Sequence, residues 1–464
     1  MRLIVVARLL APADFGLIGM ALTLVAGLTA VSTIGLDISV IKTKFKSDEQ
    51  LSAHLNTLWT MDLIRRLMLA ILLAILAGPV ASFYHEESLY QVLLLFSLLP
   101  FIQGFQNIGL LIYRKRIDFR RIVWLELATN FFTTAATIAL VLWTRNVWAL
   151  VLSQLVSAAF SVVLSYIFHP YRPSLEFDRD AFRLALGFGK YAMLIGLLGY
   201  VMQMADNILL GRLFNATVLG TYVIAYNLAV LPIHGIANVI VSVTFPAYAE
   251  ISSGRHSQRL EGAFLRVFTT SSMGLAMTTA LLLLLGNEIV VLLYGAKWAA
   301  AGTTLRVLSL LVFCRGFAVL ISPLLVSLRG IAPDAKIKVL EAGVFLALLY
   351  PLTSRYGAVG AASAGTIAYF VAMIDRLYFA AGLLPNAWKT ILATIIYSAI
   401  AAGAGIAFGA LSIHWVESVA GRLVAGGAVI ALVVPVVMLI LSPQLRVELL
   451  RLFPSLSPRM RTRT

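Results

Sequence analysis

The chain has 464 residues, of which 60% are hydrophobic and only 12% charged, and it carries a formal net charge of +15. So little polar surface cannot cover a water-soluble globule. A β-barrel is excluded too, because its alternating segments of about 10 residues are not seen, whereas helices of roughly 20 apolar residues, enough for a bilayer core of about 30 Å, recur throughout.

A stub at 3–10 opens the chain. Apolar stretches follow at 15–36, 54–83, 89–112, 119–143, 146–168, 184–210, 218–246, 263–285, 301–328, 335–353, 358–380, 388–411 and 420–441, each bounded by charge, Gly or Pro. With the stub as the first, these make an all-α polytopic membrane protein of about 14 transmembrane helices. The stub's eight apolar residues span only about 12 Å, so the first helix is expected to be truncated. Of the 36 Lys and Arg, 24 fall in the tail and in the loops after even-numbered helices, against 6 in the other loops. The positive-inside rule then puts both termini in the cytoplasm. Bases in such short loops face anionic membrane lipids, not nucleic acid.

The longest loop, about His169 to Arg183, is too short to fold as a domain, so any chemistry happens among the helices. No Walker sequence, HExxH, CxxC or dinucleotide glycine pattern occurs, so no enzyme activity, cofactor or metal is expected. Cys314 is the one cysteine. It can form no disulfide within the chain and is expected to serve packing.

Two phrases are written twice. SLLPFIQGF (Ser97–Phe105) returns as SLLVFCRGF (Ser309–Phe317), identical at six of nine positions, with Gln103 replaced by Arg315. RLLAPADFG from Arg8 aligns with GRLFNATVLG from Gly211, matching Arg8 with Arg212, Leu9 with Leu213 and Gly16 with Gly220. Both pairs give a six-helix period, and an even period makes the repeats parallel, with an axis along the membrane normal. The expected layout is an N-lobe over 1–168, a linker over 169–183 and a C-lobe over 184–380. The lobes would flank a central cavity, followed by two extra helices over 381–441 and a basic tail over 442–464. That is the usual layout of an alternating-access transporter.

Three stretches, ARLLAPADFGLIGMA (Ala7–Ala21), YRKRIDFRRIVWLEL (Tyr113–Leu127) and LYGAKWAAAGTTLRVLSL (Leu293–Leu310), carry a resemblance to a known family. In their order and spacing the sequence resembles the polysaccharide (O-antigen-type, Wzx-like) flippases of the multidrug/oligosaccharidyl-lipid/polysaccharide exporter superfamily. The resemblance implies a flippase moving undecaprenyl-pyrophosphate-linked oligosaccharide from the cytoplasmic to the outer leaflet of a bacterial inner membrane. It implies a polysaccharide polymerase and a chain-length regulator as partners. The alternatives are a drug or metabolite cation antiporter of the same superfamily, a glycan-polymerising membrane enzyme, which would need a large external loop, and a non-transporting scaffold.

The cavity candidates are the charged and polar residues inside spans. Arg315 stands at the middle of 301–328, where an arginine costs about 2.5–3.5 kcal/mol if it faces lipid. A guanidinium offers forked donors to phosphate oxygens. Arg306 lies about 13.5 Å away on the same helix. An ion pair of Arg315 with Glu341 is the alternative. Asp62, Arg65 and Arg66 share one helix face. Asp62 is expected to satisfy one arginine and leave the other for the cavity or for headgroups. Asp206 is a candidate for a coupling cation or a sugar hydroxyl, or else for local packing, and Gln103 holds the place of Arg315 in the first repeat.

Overall fold

The computed structural model describes residues 2–33, 39, 40, 43, 45, 47–116, 118–253 and 257–452. Those residues are helical throughout their ordered elements. In chain order the helices are α1 (Arg2–Leu9), α2 (Pro12–Val31), α3 (Asp48–Tyr84), α4 (Glu87–Phe96), α5 (Leu98–Gly104), α6 (Leu110–Lys115), α7 (Phe119–Thr144), α8 (Val147–Phe168), α9 (Arg179–Leu213), α10 (Ala216–Ser253), α11 (Ser257–Tyr294), α12 (Ala299–Arg329), α13 (Ile331–Leu383), α14 (Trp388–Ile413), α15 (Val419–Leu441) and α16 (Pro443–Leu452). Among the described residues, 11 stretches are long and apolar enough to cross a membrane. The chain is therefore a multi-pass membrane protein.

One apolar stretch differs in detail from the pattern expected. The span at 89–112 is broken into α4, α5 and α6. Pro100 has no N–H to offer the Phe96 carbonyl, and its ring would clash there, so α4 stops at Phe96. Asn107 then holds a non-helical bend, accepting from Gly109 N and donating to the His169 and Tyr171 carbonyls at 3.2 and 2.8 Å. In the second copy of the phrase Val312 stands where Pro100 does, and α12 runs through unbroken. The spans at 335–353 and 358–380 are two helices within α13, divided as expected at a kink at Gly357 (φ 57°, ψ −135°). That left-handed conformation suits glycine, which has no Cβ to clash.

The chain packs as two units, Met1–Val223 and Ile224–Thr464. In the first, α2 lies against α9 and against the start of α10, with backbones almost touching. A Cβ on Gly16 would lie 1.7 Å from the Ala216 carbonyl oxygen, and one on Gly220 1.9 Å from that of Pro12. Small residues at such crossings let helices gain van der Waals contact where lipid supplies no hydrophobic drive. Helices α3 to α8 complete the unit, and residues 169–178 lie along α3. In the second unit, α12 is the most enclosed of the candidate spans, with 67% of its apolar window buried. Phe264, Phe268 and Phe317 join α11 to α12, with ring centroids 5.4 Å apart in each successive pair. Helices α11, α14 and α15 share a second core through Ala280, Ala401, Ile430 and Val434.

Candidate functional site

Each unit carries a half-open cavity with charged residues in its lining. In the second unit a cavity of about 650 Å³ runs along α12 from Arg315 to Val326 and is closed by α13 through Asp334, Lys338, Glu341, Tyr369 and Arg376. Because α12 is enclosed by its neighbours, Arg315 faces this cavity and not lipid. Its Nη1 donates to the Tyr226 hydroxyl at 3.2 Å, and the guanidinium lies 5.4 Å from the Tyr369 ring centroid. Cations are attracted to such ring faces. Among the described residues no carboxylate lies within 4 Å of it.

Glu341, the ion-pair partner considered for Arg315, is engaged elsewhere. Arg376, only 4% exposed, donates to Asp334 at 3.2 Å and pairs with Glu341 at 3.5 Å, and Lys338 reaches Asp334 at 3.6 Å. Three cations and two carboxylates thus line the cavity, and the four-residue network leaves Arg315 as the cation in excess. The sequence reading missed Arg376. The available signal was Asp334, Lys338 and Glu341 at one-face helical spacing, with Arg376 inside an apolar stretch. Arg306 stands apart from this group: it faces Glu288 at 3.9 Å, an ion pair too long for a hydrogen bond, and is half exposed.

In the first unit a cavity of about 490 Å³ is lined by Asp62, Arg66, Gln106, Arg114, Glu126 and Asn130, with Ile108, Leu110, Ile122 and Leu125 as its apolar wall. Here the expectation that Asp62 satisfies only one arginine fails. Its Oδ1 accepts from Arg65 Nε at 3.0 Å, and its Oδ2 accepts from Arg66 Nε at 2.7 Å. The i+3 and i+4 positions bring both guanidinia to one carboxylate. Arg65 also donates to Ser32 Oγ at 3.0 Å, and Arg66 to Gln103 Oε1 at 2.8 Å. Gln103 is therefore a partner of Arg66. Asp206 is buried in α9, accepts from the Tyr222 hydroxyl at 2.6 Å, and lines neither cavity.

An all-helical fold of many candidate spans with charged residues lining its cavities is that of a multi-pass membrane protein. The structure titled lipid II flippase MurJ, inward closed conformation, overlays it with a TM-score of 0.73, covering 97% of this chain and 98% of that one at 16% identity, which shows a common fold. The chain belongs to the polysaccharide biosynthesis protein family, whose profile matches residues 5–303. Among curated relatives, the lipopolysaccharide biosynthesis protein WzxC of Escherichia coli K12 is 24% identical over 371 residues, 77% of this chain and 72% of that protein. The teichuronic acid biosynthesis protein TuaB of Bacillus subtilis 168 is 26% identical over 367 residues, 76% and 72% of the two chains.

Proposed function

We propose that the chain is a flippase that turns undecaprenyl-pyrophosphate-linked oligosaccharide from the cytoplasmic to the outer leaflet of a bacterial inner membrane. Arg315 carries this reading. A guanidinium without a carboxylate partner, held at mid-span over a cavity, suits a diphosphate that must pass the bilayer core. The relatives' names in lipopolysaccharide and teichuronic acid biosynthesis, and the fold of a lipid II flippase, support the substrate class.

Movement would be alternating access of two parallel six-helix lobes, 1–168 and 184–380, linked by 169–183. One packing detail supports the repeat. Pro12 meets Gly220 while Gly16 meets Ala216, and each pair exchanges roles under the 204-residue offset. The loop charges support cytoplasmic termini, and a polymerase and chain-length regulator would take the product on the outer side.

The test is deletion of the gene in its own host, followed by return of wild type, Arg315→Lys or Arg315→Ala. Wild type restores surface polymer. Arg315→Ala leaves lipid-linked precursor inside the cell at equal membrane protein. Arg315→Lys is intermediate, since it keeps the charge but loses the fork. Full restoration by Arg315→Ala would overturn the assignment.

A further inference from the structure

The first unit's cavity has a chemistry unlike that around Arg315. Its charges balance, with Asp62 and Glu126 against Arg66 and Arg114, so it offers no excess charge to a diphosphate. Its volume of about 490 Å³ falls within the roughly 300–1,000 Å³ typical of small-ligand pockets.

Helix α7 presents two stripes. Val123, Leu127 and Phe131 recur at every fourth position and are exposed, as a lipid-facing stripe is. Glu126 and Asn130 stand on a neighbouring stripe with Ile122 and Thr129, all lining the cavity. Glu126 and Asn130 are exposed yet lie inside a stretch apolar enough to span a membrane. An ionisable group at that position faces a water-filled cavity or a ligand, since lipid would penalise it. Among the described residues neither side chain has a hydrogen-bond or ion-pair partner, and the same holds for Gln106.

Two amides and a carboxylate supply both donors and acceptors with unused capacity, and the apolar side chains of Ile108, Leu110, Ile122 and Leu125 line the same cavity. Polar groups mixed with apolar side chains in one cavity match a sugar ring, which presents hydroxyls at its rim and C–H bonds on its faces. We infer that this cavity is a glycan-binding site in which Glu126, Asn130 and Gln106 bind hydroxyls of the lipid-linked oligosaccharide. This rests on the flippase reading and assigns sugar recognition to residues distinct from the diphosphate-binding Arg315. A site built for hydroxyls discriminates strongly against a ligand that lacks them, because its polar groups are then left unpaired.

Two probes separate the contributions: undecaprenyl pyrophosphate without sugar, and the lipid-linked precursor extracted from the deletion strain. Affinity of purified full-length protein in nanodiscs for each is measured with wild type, Glu126→Gln, Asn130→Leu and Arg315→Ala. Glu126→Gln and Asn130→Leu each weaken binding of the sugar-bearing lipid about tenfold and leave the bare diphosphate unchanged, whereas Arg315→Ala weakens both. Equal weakening of both lipids by Glu126→Gln and Asn130→Leu, or of neither, would overturn the site. A Glu126→Gln effect confined to the sodium or pH dependence of binding would overturn it in favour of a cation site. Wild type binding the bare lipid but not the precursor would also refute it. Wild type binding neither lipid would overturn the flippase reading and this site with it.

Discussion

Arg315 and Arg376 both stand in apolar helices of the second unit, yet their surroundings assign them different work. Arg376 holds Asp334 and Glu341 together and is buried with them. Removing Arg376 leaves the buried Glu341 without its counter-charge and Asp334 with Lys338 alone, and breaking such a buried pair costs on the order of 3–5 kcal/mol. Arg376→Ala is therefore expected to lower the amount of folded protein in the membrane, and Asp334→Asn with Glu341→Gln in the same chain to restore part of it. Arg315→Ala strands no carboxylate and is expected to leave protein amount unchanged while export fails. Quantitative blotting beside surface-polymer measurement separates the two. In the first unit, Asp62→Asn leaves two guanidinia without their anion, so the thermal midpoint of the purified protein should fall by more than for Arg65→Gln alone. The sequence showed Arg315 as a charge in the wrong solvent. It could not show which carboxylate went to which arginine, because the pairing of Glu341 with Arg376 depends on how the two halves of α13 fold back at Gly357.

At the scale of elements, the α2–α10 crossing is set by glycine. Gly16→Ala and Gly220→Ala each place a methyl group against a backbone carbonyl. Both should reduce folded yield, whereas Gly78→Ala, which meets nothing within 4 Å, should not. The strap at 169–178 is a second such element. Asn107 binds the His169 and Tyr171 carbonyls, Asn56 donates to Glu176 at 2.8 Å, and Thr57 accepts from Asp178 N at 2.8 Å. His169 Nδ1 accepts the Tyr171 N–H at 3.1 Å.

Burial, and then Arg121, Arg116 and Arg172, hold the His169 imidazole below its ordinary value of 6.5. The unfolded strap therefore binds the proton more readily than the docked one. The contribution of His169 is full above about pH 6.5 and is lost as pH falls below it, when Nδ1 can no longer accept. Hydrogen-exchange protection of residues 171–178 should drop between pH 7 and pH 5 in wild type, and this pH-dependent drop should disappear in His169→Gln. The sequence marked 169–183 as a connector without helical pattern. Its docking on α3 was hidden because the polar partners, Asn56, Thr57 and Thr60, lie inside the first turns of an apolar helix. The break at Phe96, by contrast, was written at Pro100.

For the whole molecule, composition and the spacing of apolar stretches were enough to indicate an all-helical membrane protein, since both follow from bilayer thickness. The stretches from 119 to 168 and from 388 to 441 match α7, α8, α14 and α15 within a few residues. The candidate site was legible only in part. An isolated charge such as Arg315 stands out against 60% hydrophobic residues, whereas Glu126 and Asn130 look like ordinary polar interruptions until the cavity and the stripe of Val123, Leu127 and Phe131 are seen together.

A flippase of this kind moves a lipid-linked glycan between leaflets. The most direct test reconstitutes the purified protein in proteoliposomes with labelled lipid-linked precursor and measures how much label becomes accessible from the opposite face. Transbilayer movement is expected with wild type, none in protein-free vesicles, and a rate reduced at least tenfold with Arg315→Ala. Label that stays in its original leaflet, although wild-type protein is folded and binds the precursor, would contradict it.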